Sequence, residues 1–265
     1  MGEIKKRMGE PSGGDSSFPV WWAEDLASGQ VFAEASMGFF GNVEYNKRDD
    51  DIVVKTVTKH PVLATLGCQL GGWSVGSETI MSGSLRLIAK KPSWIFDKLD
   101  FAVNNPAPVI CVEGDASDSQ VISELREAGI ESAEIIRTQE DSLAQYINVP
   151  ARAIETAIFR LMFLAEDKFN EFKITKATSN VTAKFGLGDP AADLNDAIRY
   201  DGQVTLMGDF GGFKDFETIV TKNTGFYDSK FGEVMRESGS VANCPLELFS
   251  VAELTIIDSG HTKAF

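Results

Sequence analysis

An arginine and a glutamate three residues apart, Arg152 and Glu155, lie in the stretch PARAIETAIFRL at 150–161. Pro150 suits the first turn of a helix, where its missing N–H costs nothing. Ile154, Ile158, Leu161 and Met162 then recur at helical spacing as an apolar stripe. Arg152 falls off that stripe and near the positive end of the helix, where an exposed cation costs roughly 0.3–1 kcal/mol. Two readings account for it. In the first, Arg152 and Glu155 form a surface ion pair contributing about 0.2–0.5 kcal/mol. In the second, the arginine aims a carboxylate that takes and returns a proton, and such general acid–base catalysis is worth about 10²–10⁴-fold.

The rest of the composition narrows the chemistry available. With 39 acidic against 25 basic residues the formal net charge is −14. Phosphate binding needs a concentrated basic surface, so nucleic acid is not expected as the ligand, while a cationic small molecule would be favoured. The histidines are His60 and His261, and the cysteines Cys68, Cys111 and Cys244 are widely spaced. That spacing offers neither a disulfide framework nor a zinc-ligand pattern, and no metal site is expected; the cysteine usage suits a reducing cytoplasm. No apolar run of about 18 residues appears, so no transmembrane helix is expected and a membrane is not a partner. The opening MGEIKKRMGEPSGGDSS is basic but lacks an apolar core; it reads as a mobile arm over 1–17, not as a secretory signal.

The elements that must position the Arg152–Glu155 pair follow from periodicity. A chain of 265 residues, 43% of them apolar, can build two modest α/β domains. Strands are expected at QVFAEASM (30–37), GNVEYN (41–46), DIVVKTVTK (51–59) and SLRLIAKKP (84–92). PVLATLGCQL (61–70) and PSWIFDKL read as helices. NNPAP at 104–108 is the clearest boundary and divides the chain into a first α/β domain over 1–104 and a second over 105–265. The strand at 251–258 could return to pack on the first. Beyond the boundary, PVICVEG is a nearly continuous apolar run, as in a strand covered on both faces. SDSQVISELREAG is an amphipathic helix with Ser117 as N-cap and Gly129 as its stop. AEIIRT, FKITKATS (172–179), QVTLMGD and AELTIID (252–258) are further strands; LNDAIRY and a segment around 228–238 are helical, and NVTAKFGLGDPAAD is loop-rich. GDFGGF (208–213) lacks the spacing of a phosphate cradle and reads as a turn after a strand. The fold class is α/β, mixed with α+β character: two α/β domains with a ligand cleft between them.

Four stretches in order resemble one family. They are the Pro-Ala-Arg-Ala-Ile-Glu of 150–155, HPVLATLGCQLGGW (60–73), SMGFFGNVEY (36–45) and SGSLRLIAKKP (82–92). Together they are similar to methenyltetrahydromethanopterin cyclohydrolase, an enzyme of one-carbon metabolism in methanogens, sulfate-reducing archaea and methylotrophic bacteria. The resemblance runs from about Val31 to the C-terminus. It implies reversible hydrolysis of the cationic 5,10-methenyl pterin to the 5-formyl pterin, with the tetrahydromethanopterin derivative as substrate and no cofactor or metal. It implies a homo-oligomer, a trimer, with the pterin bound between domains. The family's catalytic arginine and glutamate fall on Arg152 and Glu155, with Glu155 as general base and acid and Arg152 orienting it.

The same resemblance carries weaker assignments to substrate binding. Ser82, Gly83 and Arg86 lie at a strand end that could face the cleft; alternatively Gly83 turns the chain and Arg86 is solvated. His60 could bond the pterin or only form a turn with Pro61. Asn195 and Asp196 match an Asn-Asp pair near the family's substrate loop, with helix capping as the alternative. Trp73 and Met37 suit a core better than a pterin platform. The chain departs from the family pattern where Ala-Thr-Gly-x-Ala-Pro becomes ATSNVTAK (177–184), where Gly-Arg-Thr becomes Ala192-Asp193-Leu194, and where FSVA (249–252) lacks a proline. Against the family pattern, the sequence is expected to start after an extra N-terminal helical segment. The alternatives to a working cyclohydrolase are a paralogue that binds a pterin-like ligand in biosynthesis or regulation without hydrolysis, and a subunit that only assembles with an active enzyme.

Overall fold

A computed structural model describes residues 2–76, 79–103, 106–186, 190–239 and 243–265. In chain order its strands are β1 (Gly13–Gly14), β2 (Pro19–Trp22), β3 (Gly41–Arg48), β4 (Asp51–Thr58), β5 (Trp73–Val75) and β6 (Thr79–Ser82). Then come β7 (Val109–Glu113), β8 (Glu134–Thr138), β9 (Lys173–Lys184), β10 (Gln203–Asp209), β11 (Glu253–Asp258) and β12 (His261–Ala264). The α-helices are α1 (Gly2–Met8), α2 (Leu26–Ser36), α3 (Leu85–Ala89), α4 (Ser93–Lys98), α5 (Asp118–Glu127), α6 (Gln145–Asn148), α7 (Ala153–Ala165), α8 (Pro190–Asp201) and α9 (Phe231–Ser238). The architecture is mixed α/β, with two sheets flanked by helices. Among the described residues, no helix is long and apolar enough to cross a membrane.

The chain forms two compact units, and each is built from two separate segments. Met1–Gly41 with Leu63–Asn148 makes the first, and Asn42–Val62 with Val149–Phe265 the second. Asn104 and Asn105, where the sequence suggests a boundary, lie outside the described residues. β7 follows that point and β6 precedes it, yet the two pair within one sheet. β11, within the 251–258 segment, belongs to the second unit, where it pairs with β10.

In the first unit the sheet order is β1-β2-β8-β7-β6-β5, and β2, β8 and β7 run parallel. PVICVEG is covered on both faces, as expected. Ile110 and Val112 face a cluster with Val20, Ile135 and the α5 residues Val121 and Leu125. Val109 and Cys111 face a second cluster with Trp21, Ile136 and the α2 residues Val31, Phe32 and Ala35. The helix over 118–127 has the expected N-cap, since the Ser117 hydroxyl accepts the Gln120 N–H. The opening segment is anchored: Ile4 is buried in the second cluster, Arg7 pairs with Glu34, and the Trp21 indole donates to Gly9 O at 3.1 Å.

Two expected strands of this unit are helices. QVFAEASM belongs to α2, whose start is fixed by a reciprocal cap: Asp25 Oδ1 accepts the Ser28 N–H at 2.7 Å, and Ser28 Oγ accepts the Asp25 N–H at 3.1 Å. Its residues from Val31 to Ser36 are all buried, so burial leaves no period to read. SLRLIAKKP contains α3, which stops where Lys90 adopts a left-handed φ of 51°. PVLATLGCQL is helical as expected, but with π-type geometry over Leu63–Gln69.

In the second unit the sheet order is β12-β11-β10-β9-β4-β3. β4 alternates: Ile52, Val54, Thr56 and Thr58 are buried, while Lys55 and Val57 are exposed. β9 is longer than expected and reaches Lys184, so NVTAK is strand; residues 187–189 of the loop-rich stretch lie outside the described residues. Ile154, Ile158, Leu161 and Met162 of α7 are all buried, as the stripe requires. Gly211 and Gly212 take positive φ of 58° and 77° after β10, the turn expected at GDFGGF.

Gly29 carries a packing requirement. A Cβ there would lie 2.6 Å from Ala144 Cα, so α2 and the start of α6 approach backbone to backbone. Alanine is a better helix former than glycine by about 1 kcal/mol, yet Gly29→Ala is expected to destabilise by about 1–3 kcal/mol through overpacking, as a lowered Tm. The Asp25 carboxyl is held below the ordinary carboxylate range, chiefly by the Ser28 backbone N–H and then by its hydroxyl. A depressed folded pKa stabilises above the unfolded value of about 3.9 and stops doing so as pH falls through the folded value. Asp25→Ala is therefore expected to cost about 1 kcal/mol at neutral pH, and the gap from the parent, followed by urea unfolding, should close as the solution is acidified below about pH 4.

Candidate active site

The segment before α7 determines where Arg152 and Glu155 can go. Pro150–Arg152 forms a 3₁₀ turn, with Arg152 N–H donating to Val149 O at 3.0 Å. Thr56 Oγ1 on β4 approaches Ala151 O at 3.5 Å, which ties the turn to the sheet. The α-helix proper starts at Ala153, so Glu155 sits in its first turn, where the helix dipole favours a negative charge. The apolar stripe on α7 holds that turn against the sheet.

The pair is not on the surface. The side chain of Glu155 is 9% exposed and that of Arg152 is 19% exposed. Arg152 Nε donates to Glu155 Oε2 at 2.8 Å, and Nη2 reaches Oε1 at 3.4 Å. This two-point grip fixes the plane of the carboxylate as well as its position. Removing one partner of a pair buried to this degree leaves an uncompensated charge and costs about 3–5 kcal/mol. That is far above the value of an exposed helical pair, so the surface reading does not fit these residues. A carboxylate held in this way can accept a proton from a bound water and return it without losing its orientation.

Of the other residues singled out from sequence, the second unit holds His60, Asn195 and Asp196. His60 is exposed, and its backbone N–H donates to Thr58 Oγ1 at 3.0 Å, a turn after β4. Asn195 and Asp196 lie within α8. Asn195 Nδ2 donates to Ala191 O at 2.8 Å. Asp196 Oδ1 accepts from Arg199 Nη1 at 2.7 Å and from the Phe231 N–H at 3.0 Å. Arg199, itself buried, also donates to Ser229 O and Phe226 O. Asp196 thus satisfies the first amide of α9 and anchors the loop before it.

Ser82, Gly83 and Arg86 belong to the first unit. Ser82 ends β6, and its buried hydroxyl has no hydrogen-bond partner among the described residues. Gly83 has φ of +111°, and a Cβ there would meet Val109 O at 2.8 Å. Arg86 is fully buried, neither solvated nor on a strand; Nε donates to Lys91 O at 2.9 Å and Nη1 to Leu66 O at 3.2 Å. Met37 and Trp73 are core residues, with the Trp73 indole donating to Glu124 at 2.7 Å. A polar group that sequence reading passed over is Glu113, Gln145 and Asn148. The available signal was an acidic residue closing an apolar strand and a Gln-x-x-Asn immediately before the Pro150 turn.

Comparison with known proteins gives a family and several relatives that this chain resembles in sequence. Residues 23–265 match the family described as Cyclohydrolase (MCH). The chain is 29% identical over 245 residues to the methenyltetrahydromethanopterin cyclohydrolase of Methanoregula boonei, covering 87% of this chain and 77% of that protein. It is 28% identical over 255 residues to the methenyltetrahydromethanopterin cyclohydrolase of Methanospirillum hungatei, covering 90% and 80%.

The geometry of Asp196 generates a test that separates a structural role from a ligand contact. Asp196→Ala should lower the free energy of unfolding in urea by about 3 kcal/mol, because it leaves the buried Arg199 without its carboxylate. A variant of unchanged stability with a raised KM would instead show that Asp196 serves a ligand.

Proposed function

The chain belongs to the methenyltetrahydromethanopterin cyclohydrolase family, and on that premise we propose that it interconverts a 5,10-methenyl pterin carrier and the 5-formyl pterin by adding water. The observation that carries this reading is the buried, two-point-held carboxylate of Glu155. The substrate's methenyl carbon is already electrophilic, because it lies between two nitrogens that share a positive charge. The enzyme therefore needs no strong Lewis acid. It needs a positioned water and one group to move protons.

In the proposed reaction Glu155 accepts a proton from water as the oxygen bonds to the methenyl carbon. The positive charge is discharged and a neutral carbinolamine results. Glu155 then delivers that proton to N10 as the C–N10 bond breaks. The hydroxyl loses its own proton as it becomes the formyl C=O. One water is consumed and one proton released, and the reverse path restores the cation. Arg152 is the positioning residue: it keeps the carboxylate plane fixed through both transfers. The net charge of −14 favours encounter with a cationic substrate. Association of subunits as a trimer belongs to the same proposal.

The test follows loss of the methenyl chromophore. Glu155→Gln keeps the shape and one of the two acceptors but removes the base, and kcat should fall by about 10²–10⁴-fold. Arg152→Lys retains the charge without the planar fork and should lower kcat by less than Glu155→Gln does. Near-normal turnover by Glu155→Gln would overturn the assignment. A wild-type protein that binds the carrier without consuming it would favour the non-hydrolytic paralogue.

A further inference from the structure

α7 carries an arginine of its own, Arg160, five residues beyond Glu155. It is 8% exposed. The other arginines buried to that degree, Arg86, Arg137 and Arg199, all donate to backbone carbonyls, and Arg137 and Arg199 each hold a carboxylate as well. Arg160 makes no hydrogen bond and no ion pair among the described residues. An arginine taken this far out of water is rarely left unpaired, because its charge gives up hydration and gains no partner.

A long side chain can bury its stem and keep its head in water. In Arg160 the burial extends into the head: Nε is sealed from solvent and its N–H is unmet. Nη1 and Nη2 are not sealed in this way, so they reach the surface. Their outward N–H bonds form a fork that matches two oxygens of one carboxylate or phosphate group. Burial pushes the Arg160 pKa below the ordinary arginine value, and the charge of Glu247 acts the other way. Glu247 is exposed, on the turn Leu246–Leu248, and makes no ion pair with Arg160. Phe249, just past that turn, holds it against α7, its ring meeting Phe159 edge-on at 5.5 Å. Arg160 thus opens where α7 and this turn meet, within the second unit.

We propose that Arg160 is an anion subsite, taking two oxygens of a carboxylate or phosphate group on Nη1 and Nη2 at the rim between α7 and the 246–249 turn. It is distinct from the Arg152–Glu155 pair. Five residues place it about 7.5 Å further along the helix axis and about 140° around it, and the Arg152 guanidinium is already committed to Glu155. The anion is a group borne by the carrier or a free ion, and the recognition chemistry is the same for both. Glu247 repels it and limits its affinity, so neutralising Glu247 should tighten binding.

The probe is inorganic phosphate, titrated against the whole chain with sodium chloride holding ionic strength constant, and the readout is Tm. The wild-type Tm should rise by about 2 °C or more and saturate. Arg160→Met keeps an apolar stem and removes a buried charge that has no partner. Without phosphate its Tm should equal or exceed that of the wild type, and the saturable rise should vanish, leaving only the general salting effect of phosphate. Glu247→Gln should saturate at about threefold less phosphate. Equal phosphate responses of wild type and Arg160→Met would overturn the proposal. So would a Glu247→Gln protein that binds phosphate no better and unfolds more easily, since Arg160 would then be the partner of Glu247. The source of the anion is read from turnover. A KM for the methenyl carrier raised about tenfold in Arg160→Met assigns it to the carrier, and loss of phosphate binding without that rise assigns it to a free ion. Only this last comparison leans on the cyclohydrolase reading: a wild-type protein without turnover would sink that reading and leave the phosphate result standing.

Discussion

Burial of one carboxylate sets the terms for the second unit. An ionised glutamate shielded from water is tolerable only if a cation is held in the right place beside it. Here the cation comes from three residues earlier in the chain, so the pairing depends on the turn between them. Pro150 restricts the backbone, the 3₁₀ turn sets Arg152 ahead of the helix, and the α-helix begins only at Ala153. The unfavourable place of an arginine at a positive helix end is offset by the carboxylate it holds. Ile154, Ile158 and Leu161 then fix the helix on the sheet, and β4 restrains the turn through Thr56. Each layer of this arrangement serves the one below it.

Much of the remaining buried charge is spent on backbone. Arg86 binds the carbonyls of Leu66 and Lys91, Arg137 those of Gly114 and Ala116, and Arg199 those of Phe226 and Ser229. A guanidinium has five donors in a fixed fork, so one side chain can satisfy several carbonyls that a loop leaves unpaired. Arginine in a sequence therefore does not by itself mark an anion site. Arg152 differs from these three in gripping one carboxylate at two points, through Nε and Nη2.

The elements with one wet face were legible in the sequence. β4 alternates because one of its faces meets solvent, and α5 shows its stripe for the same reason. α2 was misread because Val31–Ser36 is buried on every side, and Ala, Val and Phe serve helix and strand alike. α3 is too short for a period, and its Arg86 bonds the carbonyls of Leu66 and Lys91, partners that cannot be inferred from spacing. The Arg152–Glu155 pair was legible because it is local. Glu113 and Asn148 were not, since they meet only through the packing of α6 against the sheet.

The interleaved make-up of the two units bears on how the chain acquires its structure during synthesis. β4 leaves the ribosome long before its partner, for Asp51 faces Lys184 across the ladder. Until β9 emerges, the β3–β4 arm has one free edge rich in Val and Ile and no sheet to join. Pairings of such separation are slow to close, and an unpaired strand edge invites wrong partners. The first unit escapes this delay, because its last strand and α6 are complete by Asn148. It can consolidate while the chain that will complete the second sheet is still being made.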